Sequence, residues 1–271
     1  MSRAYALGII GTGKMGSALL KGVLGAGLLK ATAVLAYDVH APALKALRTQ
    51  YRVNVASSVA EVLQSSQRLL LAVKPQDLEP ILRMAKLLRP KTQTVISICA
   101  GIPMAKIKAA FATKVQICRA MPNTPAVLLS AASAVAFNRN VTTVEQKWLL
   151  KFFGSVGYVC EVKEARLNAI TGLSGSGPAY AYYIMEALAQ AGVAQGIAYP
   201  AALGLAAQTM AGAAKMILMN QKPVAQLIAD VTSKGGTTFA GMDVLSQSDI
   251  NKILKQTVAA ATARAAELAS A

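Results

Sequence analysis

A chain of 271 residues, 54% hydrophobic and only 15% charged, can bury a substantial core and is not a disordered protein. Its formal net charge of +16 is spread over single and paired Lys and Arg, and aromatics make up 5% of the chain; that argues against a nucleic-acid stripe and for a diffuse basic surface attractive to small anions. Cys99, Cys118 and Cys160 form no CxxC and sit in apolar stretches, and the single His40 cannot build a zinc site or a catalytic triad, so the chemistry must come from a cofactor, from hydroxyls or from backbone.

The N-terminal segment "MSRAYALGII" runs straight into a glycine loop where a signal-peptide cleavage site would fall, so a cytoplasmic protein is expected. "YALGII" reads as a buried strand and "KMGSALLKGVLGAG" as a helix ended by Gly27. The strand "TAVLAYD" and the helix "APALKALRTQY" follow, then "RVNVA", a helical "SVAEVLQSS", the strand "RLLLAV" and a helix from Pro75 to Leu88. The strand "TVISICA", the helix "PMAKIKAAF" and the strand "VQICRAM" continue the alternation. Short apolar strands between helical patterns specify an α/β fold with a parallel, doubly wound sheet covered on both faces. After "ASAVAFN", the helix "TVEQKWLLKFFGSV" and the short strand "GYVCEV", the alternation stops. Residues 1–163 are expected to form a Rossmann-type dinucleotide-binding domain, and residues 164–271 an all-helical one.

The helical half offers "EARLNAITG", "GPAYAYYIMEALAQAG", "YPAALGLAAQTMAGAAKMIL", "PVAQLIADVTS", "GTTFAGMDVLS" and "DINKILKQTVAAATARAAELAS". The last carries an apolar stripe at 250, 253, 254, 258, 261, 265 and 268 behind an N-cap at Ser248 or Asp249. Between Arg166 and Lys215 the only charged residue is Glu186. A membrane span is not expected there, because Pro178, Gln190, Gln195, Pro200 and Gln208 interrupt the stretch and no 20-residue strongly apolar segment with basic flanks appears. So short a domain cannot bury that many apolar helices within one chain, so an obligate helical dimer interface is expected.

In "GTGKMGSALLKG" the three glycines follow a strand and open a helix, and the next strand of the βαβ unit ends at Asp38. Gly11 permits the tight turn, Gly13 lets a pyrophosphate approach, and Gly16 permits close helix–strand packing. The helix N-terminus offers its free N–H groups to the phosphates. A carboxylate at the Asp38 position accepts hydrogen bonds from the ribose hydroxyls of NADH and repels the 2′-phosphate of NADPH, although a protonated His40 would offset part of that repulsion. The plainer alternative is a solvated loop aspartate.

Further motifs identify a family. "AVKPQ" at 72–76, "RAMPNTPA" at 119–126, "LSGSGPAY" at 173–180 and "DVTSKGGTTFAGM" at 230–242 resemble, together with "GTGKMG", the pyrroline-5-carboxylate reductases. The resemblance runs from the first strand nearly to the last helix. It implies hydride transfer from NADPH or NADH to the C=N carbon of 1-pyrroline-5-carboxylate, giving L-proline in the last step of proline biosynthesis. It also implies a Rossmann domain followed by a helical domain that makes a homodimer, with further assembly to a decamer, and neither nucleic acid nor membrane as a partner. Carried over by position, Ile10, Gly11, Thr12, Gly13, Lys14, Met15 and Gly16 form the pyrophosphate loop, Asp38 meets the adenosine ribose, and Val73, Lys74 and Ala100 line the nicotinamide side. Asp230, Ser233, Gly235, Gly236 and Thr237 are the substrate-binding residues by the same resemblance, and Thr238 the catalytic one, its hydroxyl placed at the ring nitrogen.

The residue types suit that chemistry. N–H groups of the glycine turn can hold a carboxylate, and an imine that arrives partly protonated needs orientation and a hydrogen bond rather than a strong acid. Departures from the family pattern are Lys234 where proline is usual, Asp230 where asparagine is common (its charge expected to pair with Lys234), Asn251 in place of an arginine, and Val59 where an asparagine often stands. The alternative enzyme on the same plan is a related imine reductase or β-hydroxyacid dehydrogenase, with Lys215 as the residue to test. A non-catalytic dinucleotide sensor or nucleic-acid binder would have only the +16 charge in its favour.

Overall fold

The computed structural model describes residues 5–90, 93–112, 114–219 and 222–270. The chain divides into two compact units, Met1–Ser176 with Ala259–Ala271, and Gly177–Val258. The change to an all-helical pattern at Glu164 and the boundary between units therefore fall at different places, because the segment 164–176 packs with the sheet.

In the first unit, strands β1 (Tyr5–Ile10), β2 (Val34–Tyr37), β3 (Asn54–Val55), β4 (Ser66–Leu71), β5 (Thr94–Ser97), β6 (Gln116–Met121), β7 (Ala131–Phe137) and β8 (Gly157–Glu161) form one sheet. Its order is β3-β2-β1-β4-β5-β6-β7-β8. The six strands β1 to β6 pair with one another in parallel, as expected for apolar strands joined through helices α1 (Lys14–Gly25), α2 (Ala41–Tyr51), α3 (Val59–Ser65), α4 (Leu78–Leu88) and α5 (Met104–Lys108). Strand β7 departs from that expectation and runs antiparallel to β6, pairing Cys118 with Phe137 and Met121 with Ala134. The connection between them holds only a short 3₁₀ turn, Thr124–Leu128, too little for a crossover. Helix α6 (Thr143–Gly154) then returns the chain to β8, parallel to β7.

Leu7, Ile9, Leu69, Leu70, Leu71, Val95 and Ile96 are wholly buried, and they divide between two cores, one on each face of the sheet. That two-sided burial is why these strands read as unbroken apolar runs. Local hydrogen bonds set the helix starts: the Ser58 hydroxyl accepts from the Glu61 N–H at 3.2 Å, and the Thr142 hydroxyl from the Glu145 N–H at 3.3 Å. Helix α7 (Leu167–Ile170) continues into a π-helical turn, Thr171–Gly175. The end of the last helix, α12 (Ile250–Ser270), belongs to this unit, with Ala265 buried.

The second unit contains α8 (Gly177–Ala194), α9 (Tyr199–Met219), α10 (Val224–Asp230), α11 (Thr237–Gln247) and the first turns of α12. Helices α8 and α9 turn back on each other through Gly196 at φ +86°, which only glycine adopts without strain. Among its described residues only Ala189 and Ala202 are buried. Helix α9 is also long and apolar enough, by length and composition, to cross a membrane. Pro200 and Gln208 lie within it and lower its hydropathy too little to offset the surrounding Ala, Leu and Met.

Candidate active site

The carboxyl ends of the parallel strands carry every residue expected at the cofactor. The order of the sheet reverses between β1 and β4, and a crevice at such a switch point is where open α/β sheets bind ligands. The two strand ends are laced together there, the Ala72 N–H donating to Ile10 O at 2.9 Å. Gly11 follows Ile10 at φ +98°, and a Cβ on it would stand 2.6 Å from Ala72 O. A Cβ on Gly16 would collide with Gly11 O. Glycine is thus obligatory at both positions, where helix α1 leaves the sheet.

Gly13 differs from its two neighbours. A Cβ there would meet nothing within 4 Å, so packing does not require glycine at this point. Gly13 is the N-cap of α1 and no side chain caps that terminus. Lys14, at the first helical position, is exposed beside it. Such a terminus suits a pyrophosphate in charge, donors and room.

Asp38, just past β2, is tied to this loop. Its Oδ2 accepts from the Thr12 N–H at 2.6 Å and from the Thr12 hydroxyl at 3.0 Å, and its Oδ1 accepts from the His40 N–H at 2.9 Å. Burial pushes the carboxyl up, but the His40 and Thr12 N–H groups, the Thr12 hydroxyl and the nearby His40 charge outweigh it and hold Asp38 below the usual aspartate range. Thr12 itself is buried at 4% exposure. This bond network is not a feature of glycine spacing and was not foreseen from the motif.

Val73, Lys74 and Ala100 lie on the loops after β4 and β5. Val73 is half-buried, and Lys74 and Ala100 are exposed. The Cys99 thiol joins the two loops by donating to Val73 O at 3.3 Å. Burial pushes that thiol up to about 11. The Asn123 side chain links two of the family motifs, accepting from the Ala132 N–H at 2.9 Å and donating to Ser174 O at 3.0 Å. Arg119 and the Met104 N–H both donate to Glu164 Oε1, at 3.1 and 2.7 Å. A buried Arg or Asn in a strand-end motif is the only signal in the sequence that could have flagged these contacts.

The second unit holds the residues expected at the substrate. Ser233 to Gly236 form a tight turn in which the Gly236 N–H donates to Ser233 O at 3.0 Å. Gly235, third in the turn, has φ +72°, the mark of a type II turn, whose second position favours proline. Lys234 occupies that second position and is exposed. Gly236 is the N-cap of α11, again without a side-chain cap, and a Cβ on it would strike Ser233 Oγ. Thr237 and Thr238 open the helix and are exposed. The Thr232 and Thr257 hydroxyls bond carbonyls one turn back, at 2.7 and 2.9 Å. In the first turn of α11, Thr238 has no such helical carbonyl behind it.

Asp230 does not pair with Lys234 as expected. It bonds Lys222 Nζ at 2.9 Å and Gln226 Nε2 at 2.8 Å; Gln226 lies one turn back on α10 and Lys222 just before that helix, while Lys234 lies beyond its end. The Gln226 and Lys222 side chains hold Asp230 below its ordinary value.

A Rossmann-type sheet with an open glycine loop at its switch point defines a dinucleotide-binding oxidoreductase. Comparison with known proteins gives the family. A family model described as pyrroline-5-carboxylate reductase dimerisation matches residues 164–268, and one described as NADP oxidoreductase, coenzyme F420-dependent, matches residues 6–101. A pyrroline-5-carboxylate reductase of Methanosarcina acetivorans is 39% identical over 262 residues, covering 97% of each chain. The solved structure of such a reductase from Coxiella burnetii superposes with a TM-score of 0.93 at 30% identity, covering 98% of both chains. The Plasmodium falciparum pyrroline carboxylate reductase, solved with NADP bound, gives a TM-score of 0.83 at 29% identity over 99% of this chain and 100% of that one. This chain belongs to the pyrroline-5-carboxylate reductase family.

Proposed function

We propose that the protein reduces 1-pyrroline-5-carboxylate to L-proline with NADH or NADPH. The observation that supports this most is identity sustained across 97% of both chains, so that the loop Gly11–Gly16 and the turn Ser233–Thr238 fall within one family match. In this reading residues 1–163 serve the cofactor, and residues 164–271 serve the substrate and the dimer.

The residues of the glycine loop fit a dinucleotide. The N–H groups at the start of α1 hold the pyrophosphate, Asp38 accepts from the adenosine ribose, and Val73, Lys74 and Ala100 border the nicotinamide. When bound, the reduced nicotinamide supplies a hydride to the C=N carbon of the ring. The substrate carboxylate is held by the uncapped N–H groups at the start of α11, with Ser233 and Thr237 beside it. Lys234 adds a positive charge to that end of the ring. The Thr238 hydroxyl hydrogen-bonds the ring nitrogen, which carries one proton drawn from water. As the carbon takes the hydride, the C=N π pair becomes the nitrogen lone pair, and the product is a neutral secondary amine.

Assembly through the helical half gives a homodimer in this proposal, and dimers associate further into a decamer. The setting is a reducing cytoplasm, which the unpaired Cys99, Cys118 and Cys160 favour. Loss of reduced-nicotinamide absorbance on mixing protein, 1-pyrroline-5-carboxylate and either cofactor tests the reaction. Turnover with neither cofactor at substrate saturation would refute it.

A further inference from the structure

We infer that Thr12 is a positioning residue that locks the Asp38 carboxylate at the adenosine end of the groove, and that this lock makes the protein select NADH over NADPH. The inference rests on the dinucleotide reading above and deepens it. An acidic side chain at the end of the second strand discriminates only if it stays in place. A free carboxylate can rotate away from a 2′-phosphate or take up a proton, and either escape erases most of the repulsion.

Asp38 has neither escape. Its Oδ2 is held by two donors from one residue, the Thr12 N–H at 2.6 Å and the Thr12 hydroxyl at 3.0 Å. Its Oδ1 is held by the His40 N–H at 2.9 Å. Thr12 is 4% exposed, so rotation of Asp38 would strand a buried N–H and a buried hydroxyl without partners. Protonation is opposed as well, because the folded protein holds the carboxyl below its ordinary range. A carboxylate offers about four lone-pair sites, and three are used here, which leaves one on Oδ1 for a ribose hydroxyl.

Val39 follows Asp38 at 90% exposure, and among the described residues no Arg or Lys forms an ion pair with Asp38. The exposed His40 stands beside it and gives its backbone N–H, not its ring, to the carboxylate.

Isothermal titration of the full-length protein with NADH and with NADPH tests this without turnover. NADH should bind at least about tenfold more tightly, since like charges set against each other at an interface oppose association. Asp38→Ser should abolish the preference. Thr12→Val keeps the shape and the N–H but removes the hydroxyl, and should shrink the NADH:NADPH ratio by about threefold or more, while Thr12→Ser should restore it. Thr12→Val added to Asp38→Ser should leave the ratio where Asp38→Ser put it, because Thr12 acts through Asp38. Equal or tighter NADPH binding by the unaltered protein overturns the inference. So does a Thr12→Val effect that weakens both cofactors alike. Binding of neither cofactor would remove the dinucleotide reading itself, and the inference with it.

Discussion

Thr238 has a hydroxyl with no carbonyl one turn behind it, at a helix start that no side chain caps. Elsewhere in this chain threonines bond back to their own helix. Its freedom is a consequence of position, and it suits a group that must hydrogen-bond a ligand. Thr238→Ala is expected to lower kcat with 1-pyrroline-5-carboxylate by about 100-fold, the low end of what one positioned proton donor contributes. Thr238→Ser should recover much of the rate. Stability, read by urea unfolding, should move by less than about 0.5 kcal/mol, since the side chain is exposed. An unchanged kcat would remove Thr238 from the mechanism. Asp38 carries a second prediction, in pH. The folded state binds its ionised form preferentially, so its folded pKa lies below the unfolded one. The resulting stabilisation is fully present above about pH 5 and is lost as pH falls below the ordinary aspartate value near ~4 and through the lowered one. Asp38→Asn should therefore lose less stability than the unaltered protein between pH 6 and pH 3, compared by urea midpoints. Equal losses would show that the ionised form is not favoured by folding.

At the scale of elements, one ion pair joins strand β4 to helix α6. Arg68 Nε and Nη2 donate to Glu145 Oε1 and Oε2, both at 2.7 Å, and the guanidinium lies 4.1 Å from the centroid of Trp148. The two side chains are only 17% and 9% exposed. Removing one charge leaves the other stranded, so Glu145→Gln should destabilise by about 2–3 kcal/mol in urea unfolding. Replacing both, as Arg68→Met with Glu145→Leu, should recover most of that loss; if it recovers none, the pair's worth does not lie in mutual neutralisation. The pair also shows what the sequence could and could not reveal. Strands β1, β4 and β5 were legible because burial on both faces forces unbroken apolar runs. The loop at Gly11–Gly16 was legible because backbone clearance demands glycine at fixed spacing. The direction of β7 was not, since it depends on whether a connector is long enough to cross the sheet. Contacts such as Arg68–Glu145, Arg119–Glu164 and Thr12–Asp38 join residues far apart in the chain, and neither periodicity nor spacing encodes them. Asp230 illustrates the same limit, taking Lys222 from just before its own helix over the nearer-numbered Lys234.

At the scale of the molecule, the second unit cannot be stable as it stands in one chain. Only Ala189 and Ala202 of its described residues are buried. Tyr183, Leu188, Leu205, Ile253 and Leu254 are exposed. Tyr183, Leu188, Ile253 and Leu254 also line an apolar groove between α8 and α12. A soluble chain rarely exposes so much contiguous apolar surface, and the family model for dimerisation spans this region. The hydrophobic term that would order α8 to α11 must then come from a second copy, so stability should depend on protein concentration. Light scattering should give at least two chains per particle, and the unfolding midpoint should rise with concentration. Tyr183→Glu combined with Leu254→Glu places two charges on that groove and should yield monomer. The sheet unit has its own two buried cores, so the monomeric variant should still bind dinucleotide while losing turnover. A variant that remains associated and active would show that the groove is not part of the interface, and a particle of one chain in the unaltered protein would remove the dimer altogether.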